Sequence, residues 1–263
     1  MVQSINTKAL LTLASVVRRP SLLVPHATVS TISHISYQTL KDQCGIQAVI
    51  FDKDNTITAP YALETHEKAH YGLQQAVQVF GTENVAIVSN SAGTLDDADY
   101  EDAIQIEQSL GIAVIRHDEK KPGGLQEVLN HFNHHKHDTN SNSTSDTTSS
   151  QQLTPSQLCM VGDRLLTDIV FGNLHGMLTI HCLPLCSGAE NQHDNTIAKV
   201  VRTGENAFLY KNWFGGRYLL NKKRPSHAVW DGHCKLTLED SEIPLPNTKD
   251  TQEESTTKKD DEL

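Results

Sequence analysis

Four short polar clusters carry the residues of this chain best suited to chemistry. Asp52-Lys53-Asp54-Asn55-Thr56 places two carboxylates one residue apart at the end of an apolar run. Where a strand loosens into a loop, both can turn towards one site, which suits a hard divalent cation and nucleophilic attack. Ser89-Asn90-Ser91 offers hydroxyl and amide donors able to hold a phosphoryl oxygen. Lys120-Lys121-Pro122-Gly123-Gly124 offers an ammonium to neutralise phosphate charge, with Pro122 fit to open a helix. Gly162-Asp163-Arg164-Leu165-Leu166-Thr167-Asp168 combines a glycine that lets backbone approach a ligand with two further acids. Alone, each is ordinary: Asp-x-Asp and Ser-Asn-Ser are common in turns, paired lysines before a helix are usually solvated, and Asp168 reads as a helix-end carboxylate. Their meaning depends on whether they converge.

The elements between them say that they do. Residues 47–51 form a short, β-leaning apolar run, and 84–88, 111–115, 158–161 and 177–180 repeat that form. Helix-compatible stretches lie near 64–80, 96–109, 122–135 and 165–175. Strands alternating with helices predict an α/β fold, a parallel sheet with helices on both faces. All four clusters follow predicted strands, and in such a sheet the carboxyl ends of the strands open on one crevice. The intervals between clusters are filled by the expected helices and strands, so the crevice is expected to be essentially uncapped and open to a large or membrane-resident headgroup.

Taken in order, acid-x-acid, serine, lysine, then Gly-Asp with a following Asp, the chain resembles the haloacid dehalogenase-like phosphatase superfamily over roughly residues 46–185. More narrowly, it is similar to the eukaryotic mitochondrial phosphatidylglycerophosphatase family over about residues 19–185. That similarity rests on Arg19-Pro20-Ser21-Leu22-Leu23-Val24-Pro25, Phe51 to Thr56, Val88 to Gly93, Arg116 to Gly123 and Gly162 to Asp168. The resemblance implies a Rossmann-like core with Asp52 as nucleophile and Asp54 as general acid and base. Ser89, Asn90 and Lys121 would hold phosphate, with Lys121 preferred over Lys120. Mg²⁺ would be held by Asp52, Asp54 through its backbone carbonyl, and Asp163, with Asp168 in the metal shell or beside Lys121. It implies dephosphorylation of phosphatidylglycerophosphate to phosphatidylglycerol in cardiolipin synthesis, through an aspartyl-phosphate. The alternatives are the same chemistry on a soluble phosphomonoester or phosphoprotein, and a noncatalytic adaptor that keeps the fold.

Composition bounds the rest. The 263 residues are 37% hydrophobic and 21% charged, with a formal net charge of −10. That balance counts against a nucleic-acid binder. No apolar run approaches the roughly 20 residues of a membrane span, so any bilayer contact is expected to be peripheral. Residues 1–41 contain Arg18 and Arg19, many Ser and Thr and no acid, and read as a mitochondrial presequence followed by a family-like segment. The phosphatase domain is expected over 42–204, with a disordered polar insertion at about 134–152 whose histidines read as a solvated loop. An extension over 205–238 follows, and its bases and aromatics across 202–224 suit an anionic membrane surface. Residues 239–263 are expected to form an acidic disordered tail. The expected location is the matrix side of the inner mitochondrial membrane, and Asp260-Asp261-Glu262-Leu263 gives the endoplasmic reticulum as the alternative. Five irregularly spaced cysteines make a poor disulfide framework and fit a reducing compartment, with Cys182 and Cys186 read as buried or loop thiols.

Overall fold

The computed structural model describes residues 15–139, 152–186 and 223–243. Six strands, β1 (Ala27–Val29), β2 (Ala48–Phe51), β3 (Val85–Ile87), β4 (Ala113–Val114), β5 (Leu158–Gly162) and β6 (Leu178–Cys182), form one sheet in the order β1-β6-β5-β2-β3-β4. Every pairing is parallel. The expected parallel α/β sheet is thus what forms. Central strands β2, β5 and β6 are buried along their whole length, which is why their sequences are continuous apolar runs rather than alternating ones.

Alternation within those runs still decides which face each side chain fills. Val49, Phe51, Val85, Ile87, Val161 and Ile180 meet Tyr37 and Leu40 of α1 (Tyr37–Asp42), Leu73 and Phe80 of α2 (Glu67–Phe80) and Ile106 of α3 (Glu101–Leu110). Ala48, Ile50, Ala86, Leu158 and Met160 meet Val128 and Phe132 of α4 (Leu125–Thr139) and Phe171 of α5 (Val170–His175) on the other face. The two-residue period of a strand thus sorts the sheet into two cores, each covered by helices. Among the described residues no helix is long and apolar enough to cross a membrane.

Three features depart from the sequence expectations. First, β1 arises upstream of residue 42, where no strand was predicted, and pairs Ala27 to Val29 with Ile180 to Cys182. The same stretch buries Ile32, Ile35, Tyr37 and Leu40 completely or nearly so. Helix α2 rests directly on it: Ser33 Oγ donates to Lys68 O at 2.7 Å and accepts from Gly72 N at 3.1 Å. Second, α4 continues to Thr139, past the expected start of irregular chain at 134. Its buried turn at Val128 and Phe132 nucleates a helix that His and Lys residues can extend. Residues 140–151 lie outside the described residues.

Third, residues 223–243 return to the core. Trp230 and Leu236 are buried, Ser36 N donates to Leu236 O at 2.9 Å, and Leu238 N donates to His34 O at 2.7 Å. Arg224 Nη1 donates to His26 O at 2.7 Å while its guanidinium stacks 4.6 Å from the centre of the Trp230 ring. Residues 240–242, at the start of the expected tail, form a single 3₁₀ turn. Most of the basic and aromatic segment 202–224, and all of the tail beyond 243, lie outside the described residues.

Two outcomes follow from this packing. A Cβ on Gly72 would stand 2.5 Å from the Ile32 carbonyl carbon, where backbone cannot yield, so Gly72→Ala is expected to destabilise the fold by about 2 kcal/mol or more. An unchanged urea midpoint would contradict the tight α2 contact. His26 accepts from Thr179 N at 3.1 Å and its Nε2 donates to Pro225 O at 3.1 Å, so the folded state needs the neutral ring. Burial, aided by His227, pushes its pKa down from 6.5 to about 4. The unfolded chain therefore takes up this proton first. The contribution of His26 is complete above pH 6.5 and is lost as pH falls towards 4, amounting to about 3 kcal/mol. Thermal melts at stepped pH should show a shallower acid decline for His26→Gln than for the wild type.

Candidate active site

The site is built where β2 and β5 end side by side. Asp52 N donates to Val161 O at 2.8 Å, so Asp52 still belongs to the ladder while its side chain enters the crevice. One residue beyond β5, Asp163 is buried, and the neutral ring of His181 on β6, its pKa lowered by burial, donates from Nε2 to Asp163 O at 3.0 Å. Asp168 is reached by an unusual turn. Ile169 N donates to Arg164 O at 3.2 Å, a five-residue step that inserts a π turn over Leu165–Ile169 before α5 begins. That turn swings the Asp168 carboxylate back over Gly162, where a Cβ would lie 2.3 Å from Asp168 Oδ2. Arg164 N donates to the same oxygen at 3.1 Å. Gly162 is therefore a space requirement of the site.

Carboxylate oxygens of Asp52, Asp163 and Asp168 all lie within 4.8 Å of one another. Lys121 enters this group from the loop after β4, its Nζ 2.6 Å from Asp52 Oδ1 and 2.5 Å from Asp168 Oδ1, with no part of its side chain exposed. At Lys121 burial disfavours the charge, but Asp168 and Asp52 outweigh it and raise the pKa, so the ammonium is held. At Asp52 burial is the largest influence and raises the pKa; Lys121 opposes it and Asp168 adds repulsion, leaving a value of about 6. One ammonium against three clustered carboxylates leaves the pocket short of positive charge. An all-oxygen donor set with excess negative charge fits a hard divalent cation such as Mg²⁺.

The remaining predicted residues take distinct places. The Asp54 carboxylate stands outside the three-carboxylate group, accepting from Lys53 Nζ at 2.7 Å and Tyr61 N at 3.0 Å. Ser89 is buried, and its Oγ accepts from Ser91 N at 3.2 Å. Asn90 Oδ1 accepts from Lys121 N at 2.8 Å, so its amide oxygen anchors the lysine loop. Lys120 turns away to pair with Asp96 at 2.5 Å on the exposed side. Thr58 and Thr65 bridge to close a short hairpin beside Asp54, and among the described residues the interval from β2 to α2 holds nothing larger.

Sequence reasoning passed over three residues. Lys53 was only the spacer between two acids, yet its ammonium is buried against Asp54. His117 and His181 both bind backbone carbonyls of site loops. His181 sits within an apolar strand run, and a polar ring there was the available signal.

The fold and site together define a parallel α/β protein with a carboxylate–ammonium cluster at the carboxyl edge of its sheet. The model of the mitochondrial PGP phosphatase family matches residues 7–184, and the chain belongs to that family. It is 40% identical over 172 residues to phosphatidylglycerophosphate phosphatase 1, chloroplastic, of Chlamydomonas reinhardtii, covering 65% of this chain and 56% of that one. It is 38% identical over 215 residues to phosphatidylglycerophosphate phosphatase 1, chloroplastic/mitochondrial, of Arabidopsis thaliana, covering 80% and 54%. A probable mitochondrial phosphatidylglycerophosphatase of Schizosaccharomyces pombe is 31% identical over 180 residues, covering 65% and 79%. The aligned part is little more than half the length of the algal and plant relatives. No solved structure matches the chain.

Replacing Lys121 with Met removes the only ammonium bonded to Asp52 and Asp168 among the described residues and leaves their charges facing each other. We expect Lys121→Met to lose about 3 kcal/mol of stability in EDTA and to recover much of it in saturating Mg²⁺. Equal urea midpoints for variant and wild type in EDTA would refute the proposed charge balance.

Proposed function

We propose that this protein is a Mg²⁺-dependent phosphatase that converts phosphatidylglycerophosphate to phosphatidylglycerol and inorganic phosphate. The observation that carries the reading is the Asp52, Asp163, Asp168 and Lys121 cluster at the carboxyl edge of the sheet, with Asp54 one loop residue away. Family membership and the names of the relatives support phosphatidylglycerophosphate as the substrate.

A phosphate monoester dianion repels a carboxylate nucleophile, so attack by Asp52 requires positive charge around the phosphoryl oxygens. Mg²⁺ held by Asp52, Asp163 and the backbone carbonyl of Asp54, with Asp168 beside Lys121, would supply most of it when bound. Lys121, released in part from Asp52, would bond one phosphoryl oxygen, and Ser89 another. Asp52 Oδ then displaces the glycerol oxygen from phosphorus, forming an aspartyl-phosphate. Asp54 donates its proton to that leaving oxygen and afterwards takes one from the water that hydrolyses the intermediate. The short hairpin beside Asp54 leaves room for a lipid headgroup presented by a bilayer.

Mitochondrial location is part of this reading and is supported by the names of the Arabidopsis, chloroplastic/mitochondrial, and fission-yeast, mitochondrial, relatives; the matrix side of the inner membrane is the compartment we propose. Peripheral contact with the anionic bilayer would present the substrate.

Phosphate release from phosphatidylglycerophosphate vesicles tests the proposal. Wild-type turnover should require Mg²⁺, and Asp52→Asn should lower it by at least about 10³-fold, because an amide is a poor nucleophile and a weaker cation ligand. A strong preference for soluble phosphomonoesters over the vesicles would overturn the lipid assignment, and an active Asp52→Asn variant would overturn the chemistry.

A further inference from the structure

Among the described residues His117 makes three hydrogen bonds beside the crevice, all of them to backbone carbonyls. Its backbone N donates to Gly93 O at 2.8 Å. Its ring lies between two carbonyls, with Nδ1 2.6 Å from Glu119 O and Nε2 2.8 Å from Ser89 O. The residue is 2% exposed, so water does not offer a substitute partner. Carbonyl oxygens only accept, and a neutral imidazole has one nitrogen that only accepts. Both contacts are therefore satisfied together only when both ring nitrogens carry protons.

The carbonyls it joins belong to the two loops expected to hold phosphate. Ser89 is itself one of them, and Glu119 lies two residues before Lys121. The loops are also tied by Asn90 Oδ1 accepting Lys121 N, by the exposed Lys120–Asp96 ion pair, by the His117 backbone bond to Gly93 and by a close approach at Gly93, where a Cβ would lie 2.8 Å from Ile115 O; none of these holds the Ser89 and Glu119 carbonyls. Gly124, with φ of +86°, keeps the far side open, since its own Cβ would come within 3.1 Å of Glu119 O. The metal-binding carboxylates reach the crevice from β2 and β5 and do not pass through these ties.

We propose that His117 is a positioning residue, a two-donor clamp that fixes the spacing between Ser89 and Lys121 so that both meet the same phosphoryl group. This inference rests on the phosphatase reading given above. Without the clamp, the phosphate loops lose their register while the carboxylate group keeps its own. The expected signature is weaker phosphate binding with little change in Mg²⁺ demand.

His117→Phe keeps the ring volume and removes both donors, whereas His117→Gln leaves one amide able to reach one carbonyl. Three constants are measured on vesicles: kcat/KM for the lipid, the inhibition constant of inorganic phosphate, and the Mg²⁺ concentration for half-maximal rate. For His117→Phe the inhibition constant should rise about tenfold or more, the Mg²⁺ value should move less than about threefold, and His117→Gln should fall between it and the wild type. In the ¹H spectrum two slowly exchanging imidazole N–H resonances present in the wild type should be missing from both His117→Phe and His117→Gln, while those of the other buried histidines remain. A single ring proton in the wild type, or phosphate and Mg²⁺ constants that shift together or not at all in a cooperatively melting Gln variant, overturns the proposal. A wild type that releases phosphate from no phosphomonoester defeats the phosphatase reading, an outcome separable from failure of the clamp because the proton resonances do not depend on turnover.

Discussion

The ammonium of Lys121 lies between Asp52 and Asp168 with no exposed surface, and the architecture around it follows from the need to keep that charge there. A buried cation is tolerated only among anions held at fixed positions. Three unconnected segments must therefore arrive together: the end of β2, the π turn after β5 and the loop after β4. A parallel sheet accomplishes this because all of its strands deliver their carboxyl ends to one edge. The sheet order places β2 between β5 and β3, so Asp52 sits between the loop that carries the other acids and the loop that carries Ser89.

Much of this arrangement was legible in the sequence, and the reason is physical. Strands buried on both faces must be apolar throughout, so β2, β3, β5 and β6 announced themselves as short continuous runs ending at polar clusters. Strand β1 could not, because it is three residues long and only Val29 is fully buried. It forms because β6 offers an unpaired edge. The returning segment 223–243 was equally silent, since Trp230 and Leu236 are separated by Gly232 and charged residues without any helical or strand period. Burial there is decided by a distant partner, not by local pattern.

The site divides along the same line. Residue types offered Asp52, Asp163 and the Lys120-Lys121 pair, because acids and bases at strand ends are visible in one dimension, and the family resemblance preferred Lys121. The resemblance set Asp168 in the metal shell or beside Lys121, but the five-residue backbone step and the space at Gly162 that bring it there have no signature in the residue types. Lys53 reads as a spacer until its ammonium is seen against Asp54, and His117 reads as loop until its ring is seen between two carbonyls. These are contacts to backbone or to neighbouring charge, and backbone has no letter in a sequence.

Among the described residues the positive charge beside Asp52 and Asp168 is the Lys121 ammonium, and the Lys53 ammonium is paired with Asp54. Neither suffices to neutralise the acids together with an incoming phosphate dianion. Asp52, lifted to about 6 by burial and by its neighbour Asp168, registers that deficit directly. A divalent cation would lower it again and in doing so convert Asp52 into the ionised form that a nucleophile requires. In the proposed reaction metal and substrate would be coupled through one carboxylate: binding the first would prepare the attacking oxygen for the second, and the charge shortage would favour a hard cation followed by an anionic phosphoryl group.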